Sequence, residues 1–414
     1  MIWLESKPSA AGTTVSIVAA SLMGLGVVMV FSAGASLSAP PITDRILSNP
    51  SFRQATFTFA ALVTMLMVGL CPYHSWRIRP RTWFQPTVFL ALFTIGLLVA
   101  ALIPGIGEER NGARRWLSLG PANTGLSFQP SELAKLSVIL LIAGICGQMG
   151  GRIRKFFTGL LPLMLILGIY GALVGIEDFG TGALLLLVGG CMLLGAGAKV
   201  WHLVLTCLPA VAGMCYLLAA KAYRLERLKS FLDPFADAQG SGYHQVQSLI
   251  TIASGGWWGQ GLGAGIQKYG YLPEGRTDFI FAVICEELGL VGGLAVLGLF
   301  AVLIWSGRKA MNNADTEFGR LIALGVTLTF GFQAAINVAV VTVSVPTKGI
   351  GLPLVSAGGT GVILYGLLLG LLINVARRRT RATATEFSGL TAAPARGQTD
   401  IRDFPSHATL SAQL

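Results

Sequence analysis

Long apolar runs separated by polar connections organise this chain. A helix that crosses a bilayer needs about 20 mostly apolar residues. Ten segments fit that pattern: 12–33, 54–71, 84–104, 132–149, 157–176, 179–197, 200–220, 279–305, 320–344 and 354–375. Two connections, 105–131 and 221–278, are long and mixed in charge. The pattern predicts an all-α integral membrane protein of about ten transmembrane helices over residues 12–376, with a short N-terminal segment 1–11 and a C-terminal tail 377–414. From about residue 380 the tail is polar, rich in Thr, Ala, Ser and Pro, and is expected to be disordered.

Composition agrees. The 414 residues are 53% hydrophobic and 12% charged, against roughly 25% charged in soluble domains, and mean hydropathy is +0.68. The 53 glycines suit helices that pack closely in lipid. Cys71, Cys146, Cys191, Cys207, Cys215 and Cys285 lie in or beside apolar runs without zinc-ligand spacing, and read as packing residues rather than disulfides. Ala33-Gly34-Ala35 has the form of a signal-peptide cleavage site, but one lysine against one glutamate precedes the first apolar run.

Charge gives sidedness. Arg77, Arg79 and Arg81, then Arg152, Arg154 and Lys155, then Arg308 and Lys309, and finally Arg377, Arg378 and Arg379 all fall on one face if ten spans start from an inside N-terminus. Both termini are then cytoplasmic, and the large loop 221–278 between spans seven and eight is extracytoplasmic. Positive inner loops account for much of the net charge of +11, so no nucleic-acid partner is expected. The outer face receives 105–131, the turn at Glu177-Asp178, 221–278 and 345–353. Arginine there calls for an anionic partner.

Candidate chemistry concentrates in those outer segments. In 108–135, basic, aromatic and apolar residues alternate, as suits an interfacial segment with Trp116 at headgroup depth. Arg114 and Arg115 can grip phosphate bidentately or anchor to lipid headgroups. Pro130, Ser131 and Glu132 read as a helix start, and Glu132 can pair with Lys135 at i,i+3. Asp178 is either a cap for the helix starting near Phe179 or an acid at a cavity mouth. In the long loop, Asp233-Pro234 and Gly240-Ser241-Gly242 carry turn chemistry. The glycine-rich GGWWGQGLGAGIQKYG lacks GxxxxGK[ST], so it reads as a flexible amphipathic surface segment rather than a nucleotide site. Asp278 stands one residue before an apolar run that also holds Glu286 and Glu287. Intramembrane acids face a partner or a cavity, and an internal salt bridge or hydrogen bond holding the bundle is the expected role of that pair. Asp278, at the water boundary, is placed to act as a general base. VPTKGIGLPLVSAGG reads as a re-entrant turn lining a cavity, with Lys348 either contacting phosphate or snorkelling.

The segments RNGARRWLSLG, LSFQPSELAKL, EDFGTG, FLDPFADAQGSGYHQVQS, GQGLGAGIQKYGYLPEGRTDFIFAVICEELGLVGG and PTKGIGLPLVSAGG resemble, in order, the signatures of the SEDS family (shape, elongation, division and sporulation). GLGVVMVFSA at 24–33 resembles its first span, which argues against a cleaved leader. The resemblance covers roughly 20–375, and Phe179 and Lys348 lean toward the division branch over the elongation branch. It departs from the usual pattern at Glu177, Gly275, Arg276 and Ala357.

The resemblance implies a peptidoglycan glycosyltransferase. Such an enzyme polymerises lipid II, an undecaprenyl-pyrophosphate disaccharide-peptide, on the outer face of the cytoplasmic (inner) membrane, here at the division septum. It implies a class B penicillin-binding protein as crosslinking partner, together with other divisome proteins. By motif match Asp278 falls at the family's essential acid, and Arg114, Trp116, Asp178 and Lys348 fall at central-cavity positions. Arg114, Arg115, Arg276 and Lys348 are the candidates for pyrophosphate. A divalent cation (Mg or Mn) is expected without nameable ligands, and no nucleotide or organic cofactor is expected. The competing readings are a lipid II flippase and a non-catalytic scaffold. A flippase needs a polar path through the whole bilayer, whereas the charge here gathers at one face.

Overall fold

The computed structural model describes residues 9–34, 50–78, 85–110, 112–118, 127–219 and 230–391. Arg79, Arg81, Ala35, the start of the 221–278 loop and the tail beyond Thr391 lie outside the described residues. The helices are α1 (Ala10–Gly34), α2 (Pro50–Leu70), α3 (Pro86–Leu102), α4 (Pro130–Met149), α5 (Leu161–Gly175), α6 (Phe179–Gly195), α7 (Val200–Ala219), α8 (Tyr243–Ser254), α9 (Ile280–Asn312), α10 (Glu317–Val341) and α11 (Thr360–Thr391). Among the described residues, seven helical stretches are long and apolar enough to cross a membrane: Ala10–Gly34, Phe52–Leu70, Pro130–Arg154, Phe156–Gly175, Ile280–Asn312, Glu317–Val341 and Thr360–Arg377. Pro86–Leu102, Phe179–Gly195 and Val200–Gly213 are apolar but shorter.

Three features differ from the pattern-based expectation. The chain is not wholly helical: β1 (Gly107–Arg110), β2 (Ala113–Ser118) and β3 (Ser127–Phe128) form an antiparallel sheet in the order β1-β2-β3. Apolar periodicity cannot reveal so short a sheet, because its strands mix charge with aromatics. The last apolar helix starts at Thr360 rather than 354, since 345–359 is taken up by a non-helical segment. It then continues to Thr391.

α4 is the central helix, buried nearly all round and packed against α3, α6 and α10. Its first turn starts on Pro130, whose fixed φ and missing N–H suit that position. α1 packs on α9, and α2 on α11. The non-helical segment crosses close to α1: a Cβ on Gly26 would lie 2.7 Å from the Val355 oxygen and 2.9 Å from that of Leu354. Leu354 itself is held at φ +69°, an uncommon conformation for a residue with a Cβ. Before α8, Asp237 closes the expected turn. Hydrogen bonds from the Ser241 amide and hydroxyl and from the Gly240 amide hold its carboxyl below the usual range.

The glycine-rich loop after α8 is not a loose surface segment. α9 breaks at Gly289 (φ 71°, ψ −174°), and the loop takes up the backbone groups that the break releases. Gln260 N–H donates to the Glu286 carbonyl at 3.0 Å and Gly261 N–H to the Glu287 carbonyl at 3.0 Å. In return Leu290 N–H donates to Gly256 at 2.9 Å and Val291 N–H to Trp257 at 3.2 Å. Backbone groups removed from water must be paired within the protein, so the break and the loop require each other. All six cysteines are free thiols.

Gly289 occupies a region of backbone space that is essentially restricted to glycine. Gly289→Ala should therefore destabilise the protein by about 1–3 kcal/mol. Thermal unfolding in detergent measures this. Gly298→Ala, where the new methyl meets nothing within 4 Å in the same helix, should leave the midpoint unchanged or raise it.

Candidate functional site

The hairpin separates two adjacent arginines. β1 and β2 pair with Glu109 opposite Arg114 and Glu108 opposite Trp116, and β2 meets β3 with Leu117 opposite Phe128. Successive side chains of a strand point to opposite faces. Arg114 turns outward, its Nε 3.1 Å from Glu109 Oε2, while its backbone N–H donates to Glu177 Oε2 at 2.9 Å. Arg115 turns inward, with Nη1 3.5 Å from Asp178 Oδ2.

Asp178 is the N-cap of α6. Its Oδ1 accepts from Thr181 N–H at 3.1 Å and its Oδ2 from Thr181 Oγ1 at 2.9 Å. Gln129 Nε2 also donates to Oδ2, at 3.4 Å. One residue on, the Phe179 ring carries the Lys348 ammonium 4.0 Å from its centroid. Asp178 thus caps α6 and also lines a cleft with Arg114, Arg115 and Glu177.

Asp278, half-buried just ahead of α9, completes the group. A Cβ placed on Gly349 would lie 3.0 Å from Asp278 Oδ2 and 3.9 Å from Arg115 Nη2. Gly349 is exposed. Asp278 and Arg115 therefore come together beside Gly349, the residue after Lys348, and Arg115 and Asp178 also line a cleft with Arg114, Pro130, Ser131 and Glu177. Arg115, Asp278 and Gly349 come from β2, the start of α9 and the non-helical segment, three regions far apart in sequence. The arrangement offers a carboxylate for proton transfer beside cations that suit an anion.

Other predicted residues serve elsewhere. Arg276 caps the end of α1, donating to the carbonyls of Ala33 at 3.0 Å and Gly34 at 3.2 Å. Trp116 is half-buried on β2, next to a β-bulge at which Arg115 has no partner across the ladder. Glu132 and Lys135 pair at 2.8 Å inside the bundle, where Lys135 Nζ also donates to Gln333 Oε1 at 3.0 Å and Tyr365 Oη at 3.3 Å. Glu287 accepts from Ser32 Oγ on α1 at 2.6 and 2.7 Å. Glu286 Oε1 accepts from the amides of Ile266 and Gln267 at 2.8 and 3.2 Å. Among the described residues no group of three or more His, Cys, Asp or Glu is arranged to hold a metal ion.

Sequence reasoning passed over Gln333, Asn337 and Ser356, whose side chains hold the non-helical segment. A signal was there. Gln333 and Asn337 are two amides spaced i,i+4 inside an apolar run, so they share one helix face.

Residues 13–381 match the model of the FtsW, RodA and SpoVE family, described as a cell cycle protein family. A protein of Geobacter sp. (strain M18) named "Probable peptidoglycan glycosyltransferase FtsW" is 38% identical, over 88% of this chain and 96% of its own length. One of the same name from Nitrosococcus halophilus (strain Nc4) is 41% identical, over 86% of this chain and 90% of its own. Among solved structures, a chain described under "Structural coordination of polymerization and crosslinking by a peptidoglycan synthase complex" superposes with TM-score 0.69 at 27% identity, over 91% of this chain and 99% of that one.

The double duty of Asp178 can be separated. Asparagine caps helices about as well as aspartate, whereas alanine loses about 1 kcal/mol. Asp178→Asn should hold the thermal midpoint of the purified protein near wild type, and Asp178→Ala should lower it. Equal loss in both variants would place the stabilising effect in the Arg115 ion pair instead.

Proposed function

This chain belongs to the FtsW, RodA and SpoVE family of cell cycle proteins, and on that premise we propose that it is a peptidoglycan glycosyltransferase that polymerises lipid II at the outer face of the inner membrane during division. One observation carries the mechanism: the Asp278 carboxylate and the Arg115 guanidinium meet beside Gly349, next in the chain to Lys348, whose ammonium lies over Phe179.

The topology that goes with it has ten spans, both termini in the cytoplasm and a membrane domain over residues 12–376. The three shorter apolar helices pack against long neighbours: α3 on α4, and α6 and α7 on α5. Asp178 and Asp278 lie where α6 and α9 begin. The basic residues Arg152, Arg154, Arg308 and Lys309 lie where α4 and α9 end. Positive charge marks the cytoplasmic side, so the ends that carry the two aspartates face outward. Lys309 stands 3.6 Å from the centroid of Trp305, as an interfacial anchor at that inner end.

In the reaction, the acceptor 4-hydroxyl attacks the anomeric carbon of a donor sugar that is α-linked to lipid pyrophosphate. The bond from that carbon to the pyrophosphate oxygen breaks, and a β-glycosidic bond forms by one inverting displacement. The hydroxyl proton passes to Asp278. The departing pyrophosphate gathers negative charge, which Arg115 and Lys348 neutralise. Arg114 meets Glu109 on the outward face and would contribute only at the rim. Arg276 shapes the site through its cap on α1. A Mg or Mn ion fits this site only if the substrate phosphates supply most of its ligands, with Asp278 as the residue to hold it, so no step is routed through a metal.

The resemblance to a synthase complex that couples polymerisation to crosslinking supports a class B penicillin-binding protein as partner, with other divisome proteins at the septum. The flippase and scaffold readings predict different behaviour. Purified protein with its partner should polymerise lipid II in detergent, where no bilayer exists to cross. Asp278→Asn should reduce the rate by about 10²–10⁴-fold, and the wild-type rate should fall as acid protonates the carboxylate. Near wild-type polymerisation by Asp278→Asn would remove Asp278 from the mechanism. A wild-type complex that translocates lipid II in vesicles but makes no polymer in detergent would make the protein a flippase.

A further inference from the structure

Three consecutive carbonyls ahead of α9 are each held by a donor from the same neighbouring region. The Arg276 carbonyl accepts from Ala357 N–H at 3.0 Å. The Thr277 carbonyl accepts from Ser356 Oγ at 2.6 Å. The Asp278 carbonyl accepts from Asn337 Nδ2 at 2.7 Å. The donors are themselves braced. Ser356 Oγ accepts from Leu352 N–H at 2.7 Å. Asn337 Nδ2 donates a second time, to the Ile350 carbonyl at 2.8 Å. One turn earlier on α10, Gln333 Nε2 donates to the Gly351 carbonyl at 3.1 Å.

Asn337 is fully buried. Its amide orientation follows from its neighbours, because Oδ1 in place of Nδ2 would face two carbonyl oxygens. Oδ1 is buried with no hydrogen-bond partner, which is unfavourable for a group removed from water. The Asn337 nitrogen satisfies two buried carbonyls and in doing so ties Asp278 to Ile350, two residues beyond Lys348. Asn337 thereby links the backbone that carries Asp278 to the segment that carries Lys348 and Gly349. Ser356 fixes the pitch of the residue before Asp278.

We propose that Asn337 and Ser356 are positioning residues that hold the Asp278 carboxylate at the separation from Lys348 and Gly349 that the reaction needs. Neither side chain is assigned any contact with substrate. This inference rests on the reading of Asp278 as the base. In-line displacement requires the base at the attacking hydroxyl and the cations at the leaving oxygen simultaneously. A misplacement of about 1 Å lowers such rates by about 10²-fold.

The test uses the full-length protein with its crosslinking partner, in detergent, with lipid II as substrate. Ser356→Ala removes one hydroxyl, and Asn337→Ala removes the double tie. Each should lower kcat by about 10²-fold with KM for lipid II nearly unchanged. Combined with Asp278→Asn, either change should add little further loss, because groups acting as one unit are not additive. If Asn337→Ala yields no folded protein, Ser356→Ala carries the test alone. Wild-type kcat in Ser356→Ala beside an inactive Asp278→Asn would overturn the positioning role and leave the base intact. So would losses that multiply in the double variant, or a change confined to KM. An active Asp278→Asn would instead overturn the base assignment itself.

Discussion

Backbone that leaves a helix inside an apolar bundle has to pair its amides and carbonyls with protein, since no water is there to do so. That constraint shapes the centre of this molecule. The non-helical segment 345–359 meets it by stitching itself to residues 276–278 and to the amide side chains of α10. The break at Gly289 meets it by exchanging hydrogen bonds with residues 256–261. Polar residues in otherwise apolar helices follow from this. Gln333 and Asn337 lie on one face of α10 because the carbonyls of Gly351, Ile350 and Asp278 pass along that face. Gly26 is a glycine because the same segment passes too close to α1 for a side chain.

The acids divide by the same logic. Glu286 and Glu287 are buried, and their carboxylates are engaged by the fold: one by the amides of Ile266 and Gln267, the other by Ser32 on α1. Glu132 is engaged by Lys135. Removing one member of such a buried pair leaves an uncompensated group, which explains why these residues matter without a chemical role. At Asp278 the fold holds the backbone carbonyl through Asn337, and the carboxylate lies beside the exposed Gly349.

Much of this was legible in the sequence. The ten apolar runs fall on ten helices because helix length and apolar content are local properties. Pro130, Glu132 and Lys135 announced the start of α4 and its ion pair through spacing alone. Asp178 announced its cap. The hairpin was not legible as sheet, since β1 to β3 are short and carry no clean alternation. Nor could the sequence separate Arg114 from Arg115. Only the pairing register shows that one meets Glu109 and the other Asp178. The glycine-rich loop looked flexible because glycine content reports conformational freedom, not the contacts that remove it. Asn337 and Ser356 act across long separations in the chain, and such partners are set by tertiary structure.

Arg115 shows how the site can be organised and still be open to an anion. Its separation of 3.5 Å from Asp178 is longer than the roughly 2.7–2.9 Å of a well-formed charged hydrogen bond. Asp178 also accepts from the amide and hydroxyl of Thr181 and from Gln129, which fixes its carboxylate as the cap of α6. The same carboxylate therefore holds a negative charge at a fixed point beside the Arg115 guanidinium, and one residue ties the start of α6 to β2.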